Sequence, residues 1–383
     1  MRNFTITSVW GIPIRLNISL VVFLPVLAWL IASGQQIELY ASMVDSLSPT
    51  TVDVSVLRAG NTPWIIGIGA AVGLFASVAV HELGHAWMAM RYGLSVESIT
   101  LWILGGLASL EAMPKEWDRE LWIALAGPVT SILTAIACYA VVLVLPASLP
   151  AVVFVFGWLV ITNVVLAIFN MLPAFPMDGG RVLRALLARR RSYLSATRTA
   201  ARIGTGFAIG FAILAVLSLS PMLFLLALFV YGAASGESRT VALDTLLEGI
   251  TVADLVRDVE GIDADASLAE FADRMLEDRR TVYPVVDAGS ILGIVSLADF
   301  RGVSEQDRQT TRIREVYADD PPRLAASATA FDGLMGLATH RTEAALVEDD
   351  DGNAIGVISN SDISQLLDLR KQGLGPRSQT PAR

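Results

Sequence analysis

Six stretches of this 383-residue chain are apolar almost without interruption: 17–33, 63–90, 120–145, 151–170, 200–217 and 220–236. A helix needs about 20 such residues to cross the hydrocarbon core of a bilayer, so the pattern predicts about six transmembrane helices. The leader ahead of the first stretch, Phe4 to Leu16, is apolar and β-prone. It lacks the short basic head and clean small-residue cleavage site of a signal peptide, and the first span is read as retained. Beyond residue 247 the long runs stop and a shorter rhythm begins. Gly293-Ile294-Val295-Ser296-Leu297-Ala298-Asp299 returns 63 residues later as Gly356-Val357-Ile358-Ser359-Asn360-Ser361-Asp362. Each copy follows a short β-branched run (Val282 to Val286; Ala344 to Val347) and a turn rich in Asp, Gly or Asn. Amphipathic stretches lie upstream, Leu268 to Leu276 and Phe331 to His340. A β-hairpin-plus-helix unit met twice predicts two copies packed against one another. Residues 371–383 lack apolar periodicity and are expected to form a disordered tail.

Composition sharpens this division. The chain is 54% hydrophobic and only 17% charged, with a mean hydropathy of +0.57, which excludes a disordered, collagen-like or disulfide-stapled protein. Cys138 is the one cysteine, so neither a disulfide nor a thiolate metal cluster can be built. The net charge of −9 conceals a split: residues 1–247 carry 14 basic and 12 acidic groups (+2), residues 248–383 carry 14 and 25 (−11). We therefore read a membrane domain over 1–240 and a soluble α/β module over 248–370, with repeats at about 248–305 and 311–370. An acidic module argues against direct nucleic-acid binding, which needs a basic footprint. Only Lys115 and Lys371 are lysines; the other basic residues are arginine, a balance that fits work at high salt.

Positive charge marks the cytosolic flank of a span. Arg2 and Arg15 precede the first span, Arg91 follows the second, Lys115 and Arg119 precede the third, Arg189, Arg190 and Arg191 follow the fourth, and Arg239 follows the sixth. The loop at 34–62 instead holds Glu38, Asp45 and Asp53 against Arg58. The expected topology is a multi-pass protein of the cell membrane, in contact with lipid, with both termini cytoplasmic.

Two of the chain's three histidines form His81-Glu82-Leu83-Gly84-His85 inside the second span. A chain of this composition produces HExxH by chance on the order of once in a thousand. Spacing i, i+4 puts both imidazoles on one helical face, suited to one zinc ion, and Glu82 between them can serve a metal-activated water as general base. Ionisable groups inside a span cost roughly 2.5–3.5 kcal/mol on insertion scales, so the site is expected in a water-admitting cavity below the cytosolic surface. A hydrolytic zinc needs a third protein ligand and an open position. Residues Asn170 to Arg181 (NMLPAFPMDGGR) end the fourth span at the same membrane side, and their prolines break the helix. Asp178, followed by Gly179 and Gly180, is the best third ligand; it also fits as a cap of the helix starting near Gly179.

HELGH in one span and FNMLPAFPMDGGRVLRAL ending another, with GIPIRLNISL, LWILGGLASL and ALAGPVTS, closely resemble the site-2 protease family of intramembrane zinc metalloproteases, in its archaeal and bacterial form, over roughly residues 1–240. The resemblance implies that His81, His85 and Asp178 bind one zinc ion, that Glu82 activates water, and that Asn170 stands beside the metal, where a neutral amide can donate to the developing oxyanion. It implies that Gly105 and Gly106 belong to a membrane-embedded β-hairpin whose edge receives an extended substrate. The substrates it implies are transmembrane proteins, tethered transcription regulators among them, cut in regulated intramembrane proteolysis. Two departures stand out. Met177 replaces a frequent leucine, and Gly127-Pro128 leads to Thr130 and Ser131 where many members have asparagine.

The duplicated module resembles a tandem pair of CBS domains. That resemblance implies adenine nucleotide, ATP or AMP, in clefts between the repeats, with Asp299 and Asp362 on ribose hydroxyls and Ser296 and Ser359 facing phosphate or ribose. It also implies a regulatory role and a homodimer through these domains. The same Ser and Asp fit equally as caps of the helices that follow. The competing reading for the whole chain is a CBS-regulated metal or ion transporter using the polar membrane site.

Overall fold

The computed structural model describes residues 3–33, 36–49, 51–103, 105–110, 114–256, 260–340 and 342–372. The tail expected over 371–383 lies, from 373 on, outside the described residues. The chain divides into two compact units, Met1–Arg239 and Thr240–Arg383.

The first unit opens with strands β1 (Asn3–Val9) and β2 (Ile12–Asn17), an antiparallel pair turned at Trp10 and Gly11, both at positive φ, as a tight hairpin twist requires. Helices α1 (Ile18–Ser33), α2 (Gln36–Leu47) and α3 (Val54–Leu57) lead to the long α4 (Thr62–Arg91). Strands β3 (Val96–Trp102) and β4 (Gly105–Leu110) complete a four-stranded sheet in the order β1-β2-β3-β4, leaving β4 at an edge. Then follow α5 (Trp117–Val144), α6 (Pro150–Asn170), the short α7 (Asp178–Ala188), α8 (Tyr193–Leu217) and α9 (Pro221–Leu247), within which the unit boundary falls.

Five helices, α4, α5, α6, α8 and α9, are long and apolar enough to cross a membrane. The first expected span is a 16-residue helix, about 24 Å at 1.5 Å per residue. It makes a sixth candidate only together with α2, whose axis is bent 74° from it. Buried Ile37, Val44, Leu57, Ile66, Val142 and Phe154 join α2, α3, α4, α5 and α6 in one core. A second core sets Ile12, Ile14 and Ile99 of the sheet against Leu20 of α1 and Phe75 and Val78 of α4. This cluster fixes the sheet beside the helix that carries the histidines.

The second unit contains two three-stranded sheets. The first has β5 (Ile262–Asp263), α10 (Leu268–Asp278), β6 (Val282–Asp287), β7 (Ser290–Ser296) and α11 (Leu297–Arg301). The second has β8 (Arg323–Ala325), α12 (Ala330–His340), β9 (Ala344–Glu348), β10 (Ala354–Ser359) and α13 (Asn360–Lys371). Val282 and Ile294 meet Ala344, Leu346 and Val357 between the sheets. Packing does not follow sequence order at the repeat boundary. Ile250, Val252 and Leu255 are buried in the second repeat's core, and Val252 and Ala253 donate backbone bonds to Ala328 and Ala326. Reciprocally, Ile313 is buried in the first repeat's core.

Candidate metal centre

Helix α4 begins at Thr62-Pro63, a favoured helix start, and ends at Arg91 with Gly93 at φ +76°. His81 and His85 lie one turn apart on it, 4% and 7% exposed. The prolines expected to break the fourth span do so: α6 stops at Asn170, and α7 begins at Asp178. Between them, buried Ala174 and Met177 pack against Ala208 of α8 and Val230 of α9, and Phe175 against Ala200, Ala201 and Ala234. The residue flanking α7 is Met177, and no side chain caps that end. The capping alternative for Asp178 is thus not realised; its carboxylate turns to the histidines instead.

Asp178 Oδ2 lies 3.1 Å from His81 Nε2 and 3.2 Å from His85 Nε2, and the two Nε2 atoms are 3.2 Å apart. The other ring nitrogens define the tautomers. His85 Nδ1 stands 2.7 Å from the carbonyl of Ile123, which can only accept, so Nδ1 carries the proton and Nε2 presents a lone pair. His81 Nδ1 faces Ser131 Oγ at 2.9 Å, a hydroxyl able to accept from the same tautomer. Three lone-pair atoms in mutual contact repel unless a cation stands among them. Donors at about 2.0–2.1 Å from a tetrahedral zinc are about 3.3 Å apart, close to the edges of this triangle. Two imidazoles and a carboxylate, each buried, form a donor set that catalytic zinc takes with its fourth position free.

One stripe of α5 builds much of this arrangement. Ile123, Gly127 and Ser131 recur every four residues along it, so they share a face. Ile123 and Ser131 orient the two rings. A Cβ at Gly127 would fall 2.2 Å from His85 Nε2 and 2.7 Å from His81 Nε2; only glycine lets α5 pass over the imidazoles. Sequence reasoning missed Gly127 and Ser131. The available signal was the Gly127-Pro128 segment itself, five residues from Gly127 to Ser131.

A cavity of about 340 Å³ opens onto the triad and is also lined by Glu82, Gly105, Gly106 and Asn170. The structure thus brings every sequence-predicted residue of the membrane site to one place. Glu82 and Asn170 are half-buried, and Glu82 makes no hydrogen bond to another described residue, leaving its carboxylate open to water. Strand β4 crosses directly above it: a Cβ on Gly106 would approach the Glu82 side chain to 2.3 Å.

Residues 69–151 and 145–217 match the model of peptidase family M50, and residues 252–305 match that of the CBS domain. A protein of Methanocaldococcus jannaschii named as a zinc metalloprotease is 33% identical over 297 residues, covering 77% of this chain and 84% of the relative. This chain belongs to peptidase family M50. A protein of Mycobacterium tuberculosis, also named as a zinc metalloprotease, is 34% identical over 327 residues, covering 80% of this chain and 82% of its own. A solved site-2 protease of M. jannaschii is 32% identical, covers 62% of this chain and 96% of its own, and superposes with a TM-score of 0.42. As an M50 peptidase with a CBS domain, the chain is a zinc-dependent metalloprotease and a multi-pass membrane protein. Membership of a peptidase family sets the transporter reading aside.

The four residues expected to face nucleotide are placed otherwise than the membrane site. Ser296 donates through N and Oγ to Asp299 Oδ2 at 2.8 and 2.7 Å, and Ser359 likewise to Asp362 Oδ2 at 3.1 and 2.6 Å. Both pairs therefore tie the starts of α11 and α13. Ser359 and Asp362 additionally line a cleft of about 20 Å³ with Arg280, Thr281 and Ser361.

Proposed function

We propose that this chain is an intramembrane endopeptidase that cuts membrane-anchored proteins in regulated intramembrane proteolysis, with zinc held by His81, His85 and Asp178. When bound, zinc acts as a Lewis acid that polarises the scissile carbonyl and lowers the pKa of a water to about 7. Glu82 accepts the proton as the water oxygen adds to the carbonyl carbon, then delivers it to the departing amine as the C–N bond breaks. Asn170 Nδ2 donates to the carbonyl oxygen as it becomes negative, an interaction worth about 3–4 kcal/mol in comparable sites. The edge of β4, opening at Gly105 and Gly106, pairs with an unwound substrate segment; a helical substrate shields its amides and has to unwind first. The observation that carries this reading is the triangle of lone-pair donors, beside a carboxylate with no hydrogen-bond partner among the described residues, in one cavity.

Positive flanks of the spans support a cytosolic location for both termini and the second unit, where tethered transcription regulators would be released. There the CBS unit acts as an adenine-nucleotide sensor, and it offers a route to a homodimer. The two possible clefts differ in lining. Strand pairing sets Val282 opposite Ser296 and Ala344 opposite Ser359, so Arg280 and Thr281 correspond to Thr342 and Glu343. A carboxylate at Glu343 opposes phosphate, which favours the cleft of Arg280, Ser359 and Asp362 as the one that opens to a nucleotide.

Zinc analysis of the purified full-length chain tests the metal assignment. One zinc per chain is expected, falling to a small fraction in His81→Ala, His85→Ala and Asp178→Ala. Undiminished zinc in all three variants would contradict it.

A further inference from the structure

Asp178 reaches the histidines only if α7 is seated correctly, and α7 carries an unusual anchor. Arg184, six residues after Asp178, is 1% exposed, the largest fully buried side chain among the described residues. Its Nε donates to Glu120 Oε1 at 2.7 Å and its Nη1 to Glu237. Its guanidinium lies 5.0 Å from the ring centre of Phe175 and 4.8 Å from that of Tyr193. One arginine thus grips α5 and α9, the loop leading into Asp178, and the start of α8. Glu120 stands on the α5 stripe that continues through Ile123, Gly127 and Ser131. The helix that orients both imidazoles is therefore the helix to which the carboxylate's own element is tied. Neither Arg184 nor Glu237 lines the cavity, so neither touches substrate there.

We propose that Arg184 is a positioning residue: by clamping α7 to Glu120 of α5 and Glu237 of α9, it seats the Asp178 carboxylate against the two imidazoles. This rests on the zinc reading above. Ligand-supporting residues of this kind typically change metal affinity 10–100-fold when removed.

Zinc release from the full-length protein in lipid nanodiscs, followed with a chromophoric chelator, tests the proposal. Arg184→Gln is expected to release zinc about 10–100-fold faster than wild type. Arg184→Lys should recover part of the loss, because an ammonium keeps the charge but not the planar fork that serves two carboxylates. Glu237→Gln should fall between wild type and Arg184→Gln. In cleavage assays at saturating zinc, the folded variants should lose kcat with KM nearly unchanged, a split that general loosening of the fold would not give. Removing Arg184 strands Glu120, whose Oε2 already has no hydrogen-bond partner among the described residues, and that variant can fail to fold. Glu237→Gln then decides, since the Glu237 side chain is 34% exposed and its amide oxygen still accepts. Wild-type release rates in folded Arg184→Lys and Glu237→Gln overturn the proposal. A wild-type protein that holds no zinc removes the underlying reading instead, and that arm alone shows it.

Discussion

At Gly127 a single methyl group decides whether the centre forms. The ring it would strike, His85, is held from behind by the Ile123 carbonyl, so it has no free direction in which to yield. Gly127→Ala is expected to lose bound zinc while the helices still form, seen as near-zero metal content with unchanged helical circular dichroism. Ser131→Ala should be milder. It removes only the hydroxyl that orients His81, and zinc affinity measured by chelator competition should fall about 10–100-fold. These residues explain what the sequence could and could not reveal. His81, Glu82 and His85 stand out because ionisable side chains are rare in apolar spans, and Asp178 because it follows the proline break that ends another span. Gly127 and Ser131 carry no charge. Their roles exist only where α5 crosses α4, a contact no local pattern encodes.

Elements were legible where one physical cause acts along one segment. The apolar runs predict α4, α5 and α6 to within a few residues, because lipid contact demands continuous hydrophobicity. They fare worse where a helix leaves that environment. α8 begins at Tyr193 and α9 continues to Leu247, because polar turns prolong a helix without adding to an apolar run. The opening strands were foreseeable from their β-prone leader; the pairing of β2 with β3, more than 80 residues on, was not. In the soluble unit, α10 starts on a capping box in which Glu270 Oε2 accepts from Ser267 N and Oγ at 2.6 and 2.9 Å. These donors, the backbone N–H foremost, hold the Glu270 carboxyl below its ordinary value of 4.5. A carboxylate with its folded-state pKa depressed stabilises above its unfolded value and loses that contribution as pH falls through the folded one. Amide exchange in α10 should therefore be slower in wild type than in Glu270→Gln at pH 7, and the difference should shrink steadily below about pH 4.5.

The whole molecule joins an apolar enzyme unit to an acidic one, whose residues 248–383 carry a net charge of −11 against +2 for the rest. That division was plain from charge and hydropathy together. The exchange of segments between the two repeats was hidden, because it depends on Ile250 and Ile313 packing across sequence order. Calorimetry with AMP should give one site per chain, and Arg280→Ala should weaken it about tenfold or more, the scale of one charge-assisted bond. Two equal sites, or none affected by Arg280, would contradict the cleft assignment. Hydrolysis of a transmembrane substrate by the purified, zinc-loaded full-length chain is the decisive measurement. Chelation should abolish cleavage and zinc restore it, and a Glu82→Gln protein should keep its zinc yet cut about 10²–10⁴-fold more slowly. A zinc-loaded Glu82→Gln protein cutting at the wild-type rate, or wild-type cutting untouched by complete zinc removal, would contradict it.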